Sequence, residues 1–126
     1  MQVHQVMTST VWAADAETTI AQAARLMARA GIAALPVLEG ARLLGLVTDR
    51  DLARRGLALA PSSPVSAVMS RDVPACPASR GVADALRDMQ VLKLHQLPVE
   101  DDDARLVGMV SLADAVAACP HPGVAA

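Results

Sequence analysis

The chain contains itself twice. Val6-Met7-Thr8 recurs as Val68-Met69-Ser70, an offset of 62 residues, and Leu35-Pro36-Val37 recurs as Leu97-Pro98-Val99 at the same offset. Ala41-Arg42-Leu43 recurs as Ala104-Arg105-Leu106 at an offset of 63, which places one inserted residue within Glu100-Asp101-Asp102-Asp103. Beyond it, the run from Gly45 to Asp51 returns as the run from Gly108 to Asp114. A fixed period constrains folding strongly, because each copy must adopt the same supersecondary unit. A unit of about 60 residues has difficulty burying both its faces alone. Two such units can cover one another. The repeat therefore predicts one domain made of two copies, 1–60 and 61–126, in a pseudo-twofold pair. The linker, about 60–65, is the turn-forming Ala60-Pro61-Ser62-Ser63-Pro64.

Each copy reads as strand, helix, strand, strand, helix, an α/β (α+β) motif. The first strand is short, near 11–13 and 73–76. Thr19 followed by Gln22 is a capping box. Ile20, Ala23, Ala24, Met27 and Ala30 follow at helical spacing, and Gly31 stands where a helix C-cap glycine belongs. In copy two the helix opens near Gly81, and Val82, Ala85, Leu86 and Met89 line one face. Apolar runs at 34–38 and 43–47 flank Glu39-Gly40 and predict a hairpin. Runs at 96–99 and 106–110 repeat it around the acidic turn. The last helices begin after Thr48 and Ser111.

Composition narrows the function classes. Apolar residues are 53% and charged residues 19% of the 126, as in globular proteins. One Trp and no Tyr or Phe leave the core to Ala, Val, Leu, Ile and Met, and exclude extensive aromatic stacking on nucleic-acid bases. A net charge of −2 supplies no basic excess for phosphate backbones, so no nucleic-acid partner is expected. No apolar run reaches the roughly 18 residues of a membrane span. The start, Met1-Gln2-Val3-His4-Gln5-Val6, lacks the pattern of a signal peptide, so a cytoplasmic protein is expected. Cys76 and Cys119 make no disulfide framework and read as neutral thiols. Cys119-Pro120-His121 offers only two ligands, and no metal is expected there. The acidic turn Glu100 to Asp103 lacks the ligand spacing of a calcium loop and reads as a solvated hairpin tip. Met7, Met27, Met69 and Met89 stand at repeat-equivalent positions and read as core. No nucleophile–base pair, metal cluster or phosphate-binding glycine loop is visible, so neither catalysis nor a catalytic residue is expected.

The residues with most chemical content are Thr48-x-x-Asp51 and Ser111-x-x-Asp114. Each pair follows a strand ending in Gly-hydrophobic-Val and opens a helix. A helix start offers backbone N–H groups and a positive dipole end, which favour phosphate. The hydroxyl adds a donor, and the Asp one turn along is placed to accept from a ribose diol. The glycines, Gly45 and Gly108, leave room beside the strand. The same spacing is also that of a helix cap. The duplication favours binding. Hydroxyl, Asp and glycine are kept in both copies, while the intervening Asp49-Arg50 and Leu112-Ala113 diverge.

These residues resemble a tandem pair of cystathionine-β-synthase-type (CBS) domains, together a Bateman module. The matching runs are 6–8, Thr19 to Met27, Gly31 to Val37 and Gly45 to Leu52, then 68–70, 97–99 and Gly108 to Asp114. The likeness covers about 6–118, and its strength lies in order, spacing and repetition. It implies a clefted pseudo-dimer that binds AMP, ADP, ATP or a related adenosyl ligand and carries no catalytic group or cofactor. Thr48 and Ser111 would meet phosphate, with Arg50 able to reach it. Asp51 and Asp114 would hold ribose. Adenine would lie against Thr10, Val11, Ala33, Ala34 and Pro36 in one site. In the other it would lie against Asp72, Val73, His95, Gln96 and Pro98. Such modules pair as discs, so a homodimer is expected, signalling to a regulated partner. Arg80-Gly81 replaces the usual Thr at the second copy's helix start, and His95 stands where the first copy has Ala33. The two sites should therefore differ. The competing reading is a structural dimerisation or partner-binding protein with no bound nucleotide.

Overall fold

The computed structural model describes residues 1–119. Trp12–Val73 forms one compact unit, and Met1–Val11 with the chain from Pro74 onward forms the other. In the first unit the order is β1 (Ala14–Asp15), α1 (Ile20–Ala30), β2 (Ala34–Glu39), β3 (Arg42–Thr48) and α2 (Asp49–Arg54). The second repeats it with β4 (Cys76–Pro77), α3 (Val82–Leu92), β5 (Gln96–Glu100), β6 (Leu106–Ser111) and α4 (Leu112–Ala118). Each unit thus has a three-stranded mixed sheet, with its short strand parallel and its hairpin antiparallel to the central strand.

Local chemistry accounts for most boundaries. Thr19 Oγ1 accepts from the Gln22 N–H at 3.1 Å, and Gln22 Oε1 accepts from the Thr19 N–H at 2.9 Å, so α1 opens on the expected box. Gly31 closes α1 with φ +67°. Gly81 opens α3 without a side-chain cap, and Lys93 closes it at φ +56°, where α1 has its glycine. Ile20, Ala23 and Met27 bury one stripe of α1, while Val82, Ala85 and Met89 bury the matching stripe of α3. Met7, by contrast with Met27, Met69 and Met89, is only half-buried, packed at the border of its cluster. Cys76 is a buried free thiol, and burial pushes its pKa up, which keeps it neutral.

The first strands differ from the expectation of 11–13 and 73–76. They lie at Ala14–Asp15 and Cys76–Pro77, because pairing begins only opposite Val37 and Val99 of the central strands. Ala14 and Cys76 are the residues buried there, whereas Trp12 is 58% exposed.

The two N-terminal arms are exchanged. A 3-10 turn at Val65–Ala67 belongs by sequence to copy two, yet Val65, Val68 and Met69 are buried in the core of copy one's elements. There the Val65 N–H donates to Thr18 O at 2.7 Å, the Ile20 N–H to Ser63 O at 2.9 Å, and Leu46 and Ser70 exchange bonds of 2.9 and 2.8 Å. The other unit repeats the device with the first arm. The Val3 N–H donates to Arg80 O at 2.8 Å, the Val82 N–H to Met1 O at 3.0 Å, and Thr8 and Met109 exchange bonds of 2.8 and 2.9 Å. One backbone donor at the start of α3, the Val82 N–H, is thus satisfied by this arm.

Candidate functional site

Gly45 and Gly108 sit in β3 and β6 where the arms cross. A Cβ on Gly45 would lie 2.6 Å from Ser70 O, and one on Gly108 would lie 2.7 Å from Thr8 O and 2.6 Å from Met7 Sδ. The space expected beside the strand for a ligand is therefore filled by the arm's backbone. These glycines allow close packing within each unit.

Thr48 and Ser111 are both N-caps. Thr48 Oγ1 accepts from the Asp51 N–H at 3.1 Å, while Asp51 Oδ2 accepts from the Thr48 N–H at 3.0 Å, a reciprocal box. The neighbouring donors are also engaged. The Asp49 N–H donates to Ala33 O at 3.0 Å, and the Arg50 N–H to Asp49 Oδ1 at 2.8 Å. The free N–H groups expected at this helix start are thus all used internally. Ser111 Oγ accepts from the Asp114 N–H at 3.0 Å, but the Asp114 carboxylate gives nothing back, and it has no hydrogen bond or ion pair among the described residues. The Leu112 N–H donates to His95 O at 2.7 Å. Capping and the expected chemistry therefore share both the hydroxyl and the carboxylate in copy one, and only the hydroxyl, Ser111 Oγ, in copy two. Identical spacing gave no signal of that difference.

Each unit gathers part of an expected set. Ala33, Ala34, Pro36, Thr48, Arg50 and Asp51 belong to the unit Trp12–Val73, together with Asp72 and Val73. His95, Gln96, Pro98, Ser111 and Asp114 belong to the other unit, together with Thr10 and Val11. Each expected set is thus drawn from residues of both units. The bonds Asp49–Ala33 and Leu112–His95 hold the residue before the central strand beside the helix cap in both units. Ala33, His95, Arg50, Asp72, Asp114 and Thr10 are exposed; Val11, Val73, Thr48, Asp51, Gln96 and Ser111 are half-buried; Ala34, Pro36 and Pro98 are buried. Arg50 and His95 side chains have no hydrogen-bond or ion-pair partner among the described residues. The ion pairs there are Arg80–Asp88, at 2.6 Å, and Arg87–Asp84, at 3.7 Å.

Among the described residues no three His, Cys, Asp or Glu side chains gather as a metal site needs, and no helix is long and apolar enough to cross a membrane. Pro120 and His121 lie outside the described residues.

The CBS domain profile matches residues 3–58 and again 65–121. The CBS domain-containing protein YhcV of Bacillus subtilis (strain 168) is 36% identical over 114 residues, 89% of this chain and 81% of that protein. An inosine-5'-monophosphate dehydrogenase of Thermoplasma acidophilum is 35% identical over 108 residues, 84% of this chain but 21% of that protein, so the chain spans about a fifth of this relative's length. The structure of CBSX2 in complex with AMP superposes with a TM-score of 0.83 at 24% identity, over 93% of this chain and 94% of that one, a likeness of fold. With the duplicated motif, the two repeated sheets and the profile matching each repeat, the chain belongs to the CBS-domain family, as two CBS domains in tandem.

Proposed function

We propose that the chain is a regulatory module that binds AMP, ADP, ATP or a related adenosyl ligand and signals to a partner by conformational change. The observation that carries this reading is the hydroxyl–Asp pair, held in both units at the start of the final helix and beside the residue that precedes the central strand. Such a pair suits a phosphorylated ribose, because the carboxylate accepts from the diol while the hydroxyl faces phosphate. CBSX2 is a relative in fold that carries AMP. One set comprises Thr48, Asp51, Arg50, Thr10, Val11, Ala33, Ala34 and Pro36, and the other Ser111, Asp114, Asp72, Val73, His95, Gln96 and Pro98. The buried Pro36 and Pro98 shape each set through the backbone. A cytoplasmic homodimer without catalytic activity completes the proposal. Ligand changes a partner only by binding one conformation better than the other.

Titration calorimetry of AMP, ADP and ATP into protein stripped of carried-over ligand tests it. Binding heat and a melting temperature that rises with ligand concentration are expected. Neither heat nor a melting shift at millimolar ligand sinks the proposal. That result favours the partner-binding reading, which the fully satisfied cap at Thr48 and the arm-filled glycines also suit.

A further inference from the structure

We infer that the arm 1–8 exchanges between two copies of this chain, so that each copy's Val3 completes the other's second core. The inference goes beyond the nucleotide-binding reading and needs no ligand. Its source is a pattern that both arms carry. Val3-x-x-Val6-Met7-Thr8 and Val65-x-x-Val68-Met69-Ser70 match position by position. They also dock alike. The Val3 N–H donates to Arg80 O at 2.8 Å, as the Val65 N–H does to Thr18 O at 2.7 Å. Thr8 pairs with Met109, and Ser70 with Leu46, each through two backbone bonds. Met69 and Met7 lie where a Cβ on Gly45 or Gly108 would meet them, 3.0 and 2.6 Å from Sδ. Each unit therefore holds a groove that takes a Val-x-x-Val-Met segment ending in Ser or Thr.

The two arms differ in tether and in depth. The second is continuous with the unit it completes, Trp12–Val73. The first completes a unit that the chain leaves at Val11 and re-enters at Pro74. Val65, Val68 and Met69 are all buried, whereas in the first arm only Val3 is; Val6 and Met7 are half-buried and Thr8 is exposed. Less apolar burial means weaker docking, so the first arm is the one that opens. Residues 9–13, which join it to β1, form no helix or strand and, Val11 apart, are exposed. They supply the hinge. An arm from a second copy carries the same residues and makes the same bonds, so exchange loses no contact. What keeps an arm at home is the effective concentration of its short tether, on the order of millimolar. Exchange therefore grows as the protein approaches that concentration.

The test mixes two versions of the whole chain, one with Thr8→Cys and the other with Met109→Cys, in a glutathione redox buffer. Both carry Cys119→Ser, and Cys76 stays because it is buried. Thr8 and Met109 face one another as a hydrogen-bonded antiparallel pair, whose Cα atoms stand about 5.5 Å apart, within disulfide reach. A disulfide joining position 8 of one chain to position 109 of the other, identified by mass, forms only if the arm has crossed over. Its yield should rise about tenfold per tenfold in protein concentration while it is the minor species. Val3→Ala in both chains should speed its appearance by about tenfold, because the arm loses its anchor. Val65→Ala should leave the rate unchanged. No such disulfide at near-millimolar protein, or a yield that ignores concentration, overturns the exchange and leaves the nucleotide-binding reading untouched. One chain carrying both Thr8→Cys and Met109→Cys should close on itself at high dilution. If it does not, light scattering on native protein decides the matter. A dimer that forms only on refolding at near-millimolar concentration and then survives dilution supports the exchange, and monomer alone overturns it.

Discussion

At the scale of single residues, the two copies solve the same backbone problem with different chemistry. Gly31 and Lys93 close equivalent helices, both in the left-handed region, at φ +67° and +56°. The hairpin turns repeat the contrast, with Gly40 at φ +61° in one and Ala104 at φ +61° in the other. A residue with a Cβ in this region is strained by about 1–2 kcal/mol, and glycine removes that strain while adding about 0.5–1 kcal/mol of unfolded-state entropy. Lys93→Gly and Ala104→Gly are therefore expected to stabilise the protein by about 0.5–1 kcal/mol each. Urea denaturation checks this, and a loss of stability in both variants contradicts it. The aligned glycine of copy one was no guide to the second turn, because the inserted acidic residue moves the left-handed position onto Ala104. Asp101 stabilises the longer turn by accepting from the N–H groups of Asp103, at 2.9 Å, and Arg105, at 3.0 Å.

At the scale of elements, what was legible in the sequence is what short-range chemistry decides. The Thr19–Gln22 box, the Gly31 cap, both hairpins and the helices after Thr48 and Ser111 follow from residues within a few positions of one another. The first strands moved by up to three residues because their limits depend on a partner strand far along the chain. The arms were read as the openings of their own copies, and nothing local says that each completes the opposite one. Gly45 and Gly108 show the consequence for the candidate site. Read along the chain they were space for a ligand; in the fold they are the crossing points of the arms. Gly45→Ala and Gly108→Ala should each destabilise the protein by about 1–3 kcal/mol, since the nearest obstruction includes a backbone oxygen that cannot rotate away. Denaturation midpoints of the two variants against native protein decide it, and unchanged midpoints refute the packing role.

At the scale of the whole molecule, the exchange separates the sequence repeat from the unit that packs. Copies by sequence are contiguous, but only Trp12–Val73 is a contiguous compact unit, and it contains the second copy's arm. Val65, Val68 and Met69 are 0%, 0% and 5% exposed in its core. Burial of such side chains is worth about 1.5–3 kcal/mol each. Their sum is comparable to the whole stability of a domain of about 60 residues, at roughly 0.05–0.15 kcal/mol per residue. A fragment spanning 12–73 keeps these contacts and the bonds from Leu46 to Ser70. A fragment spanning 1–60 loses them and carries an arm whose docking place lies in the other half. Circular dichroism on heating should therefore show a cooperative transition for 12–73 and none for 1–60. Equal melting of the two fragments would mean that the arm adds little. A transition confined to 12–73 would establish that the duplication became one interdependent fold by trading its arms, so that neither repeat of the sequence holds a complete core.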